Sequence, residues 1–158
     1  GFFFNNEMDD FSAKPGVPNQ FGLVGSQANA IAPEKRMLSS MTPTIFEQDG
    51  ELYLIIGSPG GSAIITTVLQ VFLHLTQGRL TLQEAIERPR FHHQWIPDHV
   101  MIEREDWPNN LGEALQLKGH QLDTLTHLGL VKAILKRDSL FIGAGDPRSN
   151  DHAEGLSD

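Results

Sequence analysis

A run of six residues, Gly57-Ser58-Pro59-Gly60-Gly61-Ser62, constrains the fold of this chain more than any other segment. The preceding residues 52–56 are apolar and β-prone, which predicts a short strand buried on both faces. After the run, apolar residues recur at three- and four-residue spacings, which predicts one stripe of a helix: Ile65, Val68, Leu69, Phe72 and Leu75. The run is therefore predicted to be a sharp strand-to-helix turn.

Such a turn can bind negative charge. The first turn of a helix leaves backbone N–H groups without partners, and adjacent glycines keep side chains away from an approaching ligand. If the protein is an enzyme, the N–H groups of Gly60 and Gly61 are candidate donors of an oxyanion hole. The alternative is a tight turn with no ligand, because glycine pairs mark turns in general.

Length and charge narrow the class of protein. The 158 residues suit one domain. A net charge of −8 without a run of Lys or Arg argues against nucleic acid or an anionic membrane surface as a partner. The absence of cysteine excludes disulfides, thiolate metal sites and a cysteine nucleophile. Because the sequence opens without Met in a β-prone run, we expect a piece of a larger, processed protein.

An acidic cluster lies near the start, where Glu7, Asp9 and Asp10 place three carboxylates in four positions. Like charges this close repel each other, so a bound cation would stabilise them, although a solvated acidic turn remains the alternative. Residues 14–36 are rich in Pro and Gly and keep no period, and the apolar Phe21 within them favours a covering loop over a linker.

Ser39 and Ser40 close this loop. The strand that follows them is predicted to form a hairpin with residues 51–56 across Asp49-Gly50, which would place both serines near the glycine turn. Further along, Thr81 and Glu84 form a predicted capping box, and short strands alternate with helices, so the fold is predicted to be α+β or layered α/β.

No metal or cofactor is predicted. The neighbouring His92 and His93 point to opposite sides of an extended chain, and no further ligand falls at a suitable spacing.

The motifs, in this order, resemble the γ-glutamyltranspeptidase family. They are Asn5-Asn6-Glu7-Met8-Asp9-Asp10-Phe11-Ser12, Pro33 to Pro43 with the serine pair, Gly57-Ser58-Pro59-Gly60-Gly61-Ser62, Pro89-Arg90-Phe91-His92-His93-Gln94-Trp95 and Asp146-Pro147-Arg148-Ser149. The resemblance implies a four-layered αββα sandwich of the N-terminal-nucleophile hydrolase type. Residues 1–158 would be a single domain, the C-terminal small-subunit part of a larger self-processed precursor.

The resemblance also implies residue roles. The nucleophile would be a threonine upstream of Gly1, so no residue of this sequence is assigned to that role. An asparagine that helps to bind the glutamyl group would also lie upstream. Residues 15–25 would form a lid, with Phe21 where some relatives have tyrosine. Gly60 and Gly61 would supply the N–H donors of the oxyanion hole. Glu7 and Asp10 would bind the α-ammonium of the substrate, and Ser39 and Ser40 would bind its α-carboxylate.

The implied function is cleavage of the γ-glutamyl amide of glutathione-like compounds and transfer of the glutamyl group to water, an amino acid or a peptide. The implied partner is the large subunit, which would supply an arginine, and the implied location is periplasmic or secreted. The alternatives are a related acylase that cleaves glutaryl or poly-γ-glutamate amides, and a non-catalytic fragment that lacks the nucleophile.

Overall fold

A computed structural model describes residues 2, 7–104, 107 and 110–155. Asn5 and Asn6, which open the acidic motif, lie outside the described residues. The fold is α+β, as predicted. Its elements are β1 Thr44–Gln48, β2 Glu51–Gly57, α1 Ala63–Thr76, α2 Leu82–Glu87, β3 Phe91–His92, β4 Val100–Glu103, α3 Leu111–Leu117, β5 Leu122–Leu125, β6 Lys132–Arg137 and β7 Leu140–Ala144.

The main sheet has the strand order β1-β2-β6-β7 and is antiparallel throughout. The predicted hairpin between β1 and β2 is confirmed. Asp49 and Gly50 in its turn have φ values of 55° and 81°, the positive values that a two-residue hairpin turn of this type needs. Thr44 pairs with Ile56, so β1 begins beside the end of β2 that leads into the glycine turn.

The prediction that β2 is buried on both faces is wrong. Leu54 and Ile56 are 0% and 2% exposed, whereas Ile55 between them is 40% exposed. Side chains alternate along a strand, and within the described chain helices cover only one face of this sheet. Ile45, Ile55 and Ile134, neighbours across three strands, form an exposed apolar row on the opposite face.

Helices α1 and α2 pack on the covered face of the sheet. The predicted helix after the glycines is confirmed, but its buried stripe is only partly the predicted one, because Ile65 and Leu69 are exposed. The helix is apolar around much of its circumference, so spacing alone did not select the face that meets the sheet. Its buried apolar residues include Ile64, Val68, Val71 and Leu75. The capping box of Thr81 and Glu84 at the start of α2 is confirmed.

A smaller sheet, β3-β4-β5, completes the described fold. β3 is antiparallel to β4, and β5, which follows α3, is parallel to β4. Gln70 of α1 joins this sheet to the helices, since its amide donates to the Phe91 carbonyl at 2.8 Å and accepts from the Phe91 N–H at 3.1 Å. The start of β3 is thereby held beside the middle of α1.

Candidate active site

The glycine turn has the backbone conformation that its sequence requires. Gly60 and Gly61 have φ values of 139° and 56°, which residues with a Cβ rarely adopt. Their carbonyls accept from the N–H groups of Ala63 and Ile64 at 3.1 and 3.2 Å, which begins the first turn of α1. The N–H groups of Gly60 and Gly61 donate no hydrogen bond to another group in the described part of the chain. The strand-to-helix turn is confirmed, while the oxyanion role of these donors stays a prediction.

A second glycine-containing loop supports the turn from behind. The Ser58 hydroxyl donates to the Pro59 carbonyl at 2.7 Å and accepts from the Leu130 N–H at 2.9 Å. A Cβ at Gly129 would lie 2.5 Å from the Ser58 Oγ, and a Cβ at Gly60 would lie 3.3 Å from the Gly129 Cα. The backbones of the two loops are therefore in direct contact, which restricts movement of the glycine turn toward this loop.

Buried charges hold that supporting loop. Glu103 is 3% exposed and accepts from the Leu128 N–H at 2.6 Å and from the Arg148 guanidinium at 2.6 and 2.7 Å. Arg90 donates to the Leu128 carbonyl at 2.8 Å and pairs with Asp146 at 2.9 Å. We call Arg90, Glu103, Asp146 and Arg148 the charge cluster. It fixes the Leu128 backbone on both its N–H and its carbonyl side.

The charge cluster shifts the pKa values of its members. Burial lowers the pKa of Arg90, with the nearby charge of Arg148 acting in the same direction. Burial alone would raise the pKa of Asp146, but the Val131 N–H and the Arg90 charge outweigh it and lower that pKa. The pKa of Arg148 is raised, because its hydrogen bonds and charge pairing with Glu103 outweigh burial. The shifts of Asp146 and Arg148 favour their charged forms, and Arg90 pairs with Asp146.

The predicted covering loop is ordered by local turns, and its tip lies on the glycine turn. The Gly22 N–H donates to the Asn19 carbonyl at 2.9 Å, and the Asn19 side chain accepts from the N–H groups of Phe21 and Leu23 at 2.9 and 3.1 Å. A Cβ at Gly61 would lie 2.5 Å from Cδ1 of Phe21. The structure thus brings Phe21 and Gly61 into contact.

The acidic cluster and the serine pair lie on two neighbouring segments. Glu7 and Asp10 belong to a 3-10 helix, Glu7–Asp10. The Asn29 side chain donates to the Asp10 carbonyl at 2.7 Å and accepts from the Leu38 N–H at 3.1 Å. Ser39 and Ser40, both exposed, follow Leu38 directly. One amide therefore joins the acidic helix to the serine segment.

A cleft of about 430 Å³ lies beside the glycine turn. Its lining includes Phe21, Gly60 and Gln94, but none of the predicted acidic and serine residues. The described chain therefore forms two groups, the predicted covering loop with the glycine turn and the acids with the serines. It does not enclose both groups in this cleft.

Sequence reasoning gave no role to several residues that build the site. The family motifs contain Arg90, Gln94, Asp146 and Arg148 but do not indicate what these side chains contact. Asn29 had no local signal, because its two partners lie 19 and 9 residues away.

Two further observations concern ions and membranes. Within the described ranges, no three His, Asp or Glu side chains are grouped so that they could hold a metal ion. The described helices include none whose length and apolar character would let it cross a bilayer.

Comparison with known proteins identifies the family. The family model described as gamma-glutamyltranspeptidase matches residues 1–156. The glutathione hydrolase proenzyme of Escherichia coli (strain K12) is 50% identical over 152 residues, which are 96% of this chain and 26% of that protein. The chain thus spans about a quarter of the length of this curated relative.

Solved structures agree with this result. A mutant of the Helicobacter pylori γ-glutamyltranspeptidase is 48% identical with a TM-score of 0.88, over 94% of this chain and 82% of that chain. The Pseudomonas nitroreducens γ-glutamyltranspeptidase complexed with L-DON is 40% identical with a TM-score of 0.90, over 99% of this chain and 83% of that chain. The chain therefore belongs to the γ-glutamyltranspeptidase family and has its N-terminal-nucleophile hydrolase fold.

Proposed function

We propose that this chain is the small-subunit part, a single domain, of a γ-glutamyl hydrolase and transferase. The enzyme cleaves the γ-glutamyl amide of glutathione-like compounds through an acyl-enzyme and passes the glutamyl group to water, an amino acid or a peptide. Family membership supports the reaction class. The observation that carries the substrate class is the Asn29 amide, which joins the segment of Asp10 to the segment of Ser39 and Ser40.

This juxtaposition suits a free amino acid. The α-carbon of a γ-glutamyl group carries an ammonium and a carboxylate, so its ligands must offer negative charge and hydrogen-bond donors side by side. In the proposed site Glu7 and Asp10 bind the ammonium, and the hydroxyls of Ser39 and Ser40 bind the carboxylate. A site that pairs both groups rejects analogues that lack one of them, since its own polar groups are then left unpaired.

The glycine turn acts on the other end of the substrate. When the γ-amide is attacked, its oxygen gains negative charge, and fixed N–H donors at about 2.7–3.1 Å stabilise that charge. The N–H groups of Gly60 and Gly61 donate to no acceptor in the described chain, so they are candidates for such donors. The turn cannot shift easily, because Ser58 and Gly129 support it.

The rest of the proposed enzyme lies outside these residues. None of residues 1–158 is assigned as the nucleophile, which we infer to be the N-terminal threonine that the family resemblance implies. We also propose a large subunit of the same precursor as partner, with an arginine for the substrate carboxylate, and a periplasmic or secreted location. The exposed row of Ile45, Ile55 and Ile134 offers an apolar surface for such a partner.

The test compares two chromogenic amides in the complete protein. γ-Glutamyl-p-nitroanilide carries the α-ammonium, whereas glutaryl-p-nitroanilide lacks it. We expect the γ-glutamyl compound to have the higher kcat/KM by about one to two orders of magnitude, since a hydrogen bond to a charged group contributes about 1.5–3 kcal/mol. Equal or higher turnover of the glutaryl compound would support the acylase alternative, and no turnover of either would contradict the proposed reaction.

A further inference from the structure

Gln94 lies where three parts of the site meet. Its Nε2 donates to the Phe21 carbonyl at the lid tip at 2.9 Å and to the Ile96 carbonyl at 3.1 Å. Its Oε1 accepts from the hydroxyl of Ser62, the residue before α1, and from the ring of His92 at 3.0 Å. One side chain therefore bonds to the lid, to the glycine turn and to the end of β3.

The chemistry of these partners fixes the orientation of the amide. Both groups on the nitrogen side are backbone carbonyls, which can only accept. Both groups on the oxygen side are able to donate. All four hydrogen-bonding positions of the amide are used, so rotating it by 180° would place its oxygen against two carbonyls.

The anchor of this amide is rigid. His92 is 3% exposed, and its Nδ1 lies 2.8 Å from the Thr66 hydroxyl of α1. Because the Gln94 oxygen can only accept, His92 carries a proton on Nε2. The Thr66 hydroxyl that contacts Nδ1 also donates to the Ala63 carbonyl at 3.1 Å, so the ring is held against the first turn of α1. The lid tip is the opposite case, since Phe21 is 43% exposed and its loop is built from short turns.

We propose that Gln94 is a positioning residue that latches the lid: it bonds the Phe21 carbonyl to Ser62 and His92 and so holds the Phe21 ring over Gly61. The catalytic meaning of this latch rests on the proposed function, because the ring covers the turn that is proposed to bind the oxyanion. A latched lid keeps the glutamyl group bound without touching the reacting amide. Loss of the latch should therefore weaken substrate retention more than it slows the chemical step.

The variant Gln94→Glu tests the latch selectively. A carboxylate still accepts from Ser62 and His92, but it offers no proton to the Phe21 and Ile96 carbonyls and repels both. Gln94→Met, of similar size, removes all four bonds and serves if the charged variant does not fold. Gln116→Glu is the matched control, because it makes the same change at an exposed position of α3.

The first measurement is amide hydrogen exchange by mass spectrometry in the complete protein. We expect peptides within residues 16–25 to exchange about tenfold faster in the Gln94 variants. This factor corresponds to a little more than the free energy that one hydrogen bond contributes to keeping the loop closed. Peptides from α1 should exchange as in the wild type, which separates an open lid from general unfolding. Lid exchange equal to that of Gln116→Glu overturns the latch.

The second measurement is the split between KM and kcat with γ-glutamyl-p-nitroanilide. We expect a KM about five to ten times higher at nearly unchanged kcat. A lower kcat at unchanged KM overturns the positioning role. If the wild-type protein does not turn over the γ-glutamyl compound, the proposed function fails, and the exchange experiment still decides whether Gln94 holds the lid.

Discussion

At the scale of single residues, two constraints meet at Gly61. Its φ of 56° disfavours a side chain, and a Cβ would lie 2.5 Å from the ring of Phe21. Gly57, four residues earlier, has neither constraint, because a Cβ there meets nothing within 4 Å. The two glycines of one short segment therefore form a natural pair of test positions.

We expect Gly61→Ala in the complete protein to lower kcat for γ-glutamyl-p-nitroanilide about tenfold to a thousandfold. The physical reason is that the methyl group displaces an N–H donor and pushes the lid aside. Gly57→Ala should retain most of the activity. A Gly61→Ala enzyme with the kcat of the wild type would remove the oxyanion assignment.

Asp10 and Asp9 form a second pair in one 3-10 helix. Only Asp10 is tied through its carbonyl to Asn29, and it is half-buried whereas Asp9 is exposed. We expect Asp10→Asn to raise the KM for the γ-glutamyl substrate about tenfold to a hundredfold, because a charged hydrogen bond to the ammonium is lost. Asp9→Asn should change the KM less than twofold, and equal effects of the two changes would argue against a specific ligand at position 10.

At the scale of elements, the charge cluster turns a loop into a rigid support. The loop between β5 and β6 is held at Leu128 by Glu103 and Arg90, at Val131 by Asp146, and at Leu130 by Ser58. Since Ser58 belongs to the glycine turn, this loop connects the turn that follows β2 to the charge cluster. The glycine turn should lose its shape when this anchor is removed.

Glu103→Gln tests the anchor. The change removes one of the two carboxylates that pair with the Arg148 guanidinium, which is 11% exposed, and leaves Asp146 at 3.2 Å as its partner. We therefore expect a loss of about 1.5–3 kcal/mol of unfolding free energy. Thermal and denaturant unfolding of the complete protein would measure it. The exposed Glu113→Gln on α3 should stay within about 0.5 kcal/mol of the wild type. A Glu103 variant as stable as this control contradicts the anchoring role.

The lowered pKa of Asp146 predicts a dependence of stability on pH. A carboxyl whose pKa is lower in the folded state stabilises the fold above its unfolded pKa of about 3.9, and this contribution is lost as the pH falls through the folded value. We expect the melting temperature to fall more steeply below about pH 4 in the wild type than in Asp146→Asn, which should already be less stable at pH 7. Parallel curves for the two proteins would contradict this contribution.

Local signals predicted some elements well and others poorly. The Asp49-Gly50 turn, the glycine turn and the capping box at Thr81 depend on residues within a few positions, so the sequence contained the relevant information. The buried faces of β2 and α1 depend on which neighbour covers them. Ile55 and Ile65 are apolar yet exposed in the described chain, and no local pattern separates them from buried neighbours.

The site followed the same division. The family motifs contain the acids, the serines, the glycines and Gln94, but they do not indicate what Gln94 contacts, and Asn29 lies outside them. Gln94 contacts a carbonyl 73 residues away, and Asn29 reaches back 19 residues to Asp10. Such contacts follow from the tertiary fold, which local periodicity does not describe.

At the scale of the whole molecule, the main sheet has one covered face and one that the described residues leave open. Ile45, Ile55 and Ile134 are 66%, 40% and 44% exposed on the open face, in a chain that spans about a quarter of its curated relative's length. An exposed apolar row of this kind is a candidate interface. Under the proposed function, it would face the large subunit.

The double variant Ile55→Lys/Ile134→Lys tests this assignment. We expect the double variant to impair assembly in the complete protein, because two charges would be buried between the subunits. Size-exclusion chromatography and subunit ratios on a denaturing gel would measure the loss. Lysine at the exposed Gln77 and Gln116 controls for added charge. Normal assembly of the isoleucine variant would exclude this face from the interface.

The bond between Gln94 and the lid uses the main-chain carbonyl of Phe21, not its ring. The loop can therefore stay attached while the side chain at its tip is exchanged. The attachment of the loop and the chemical character of the side chain above the glycines are thus separate properties. Evolution or mutagenesis could change the residue at position 21 to admit a different acceptor while the hydrogen bond from Gln94 is kept.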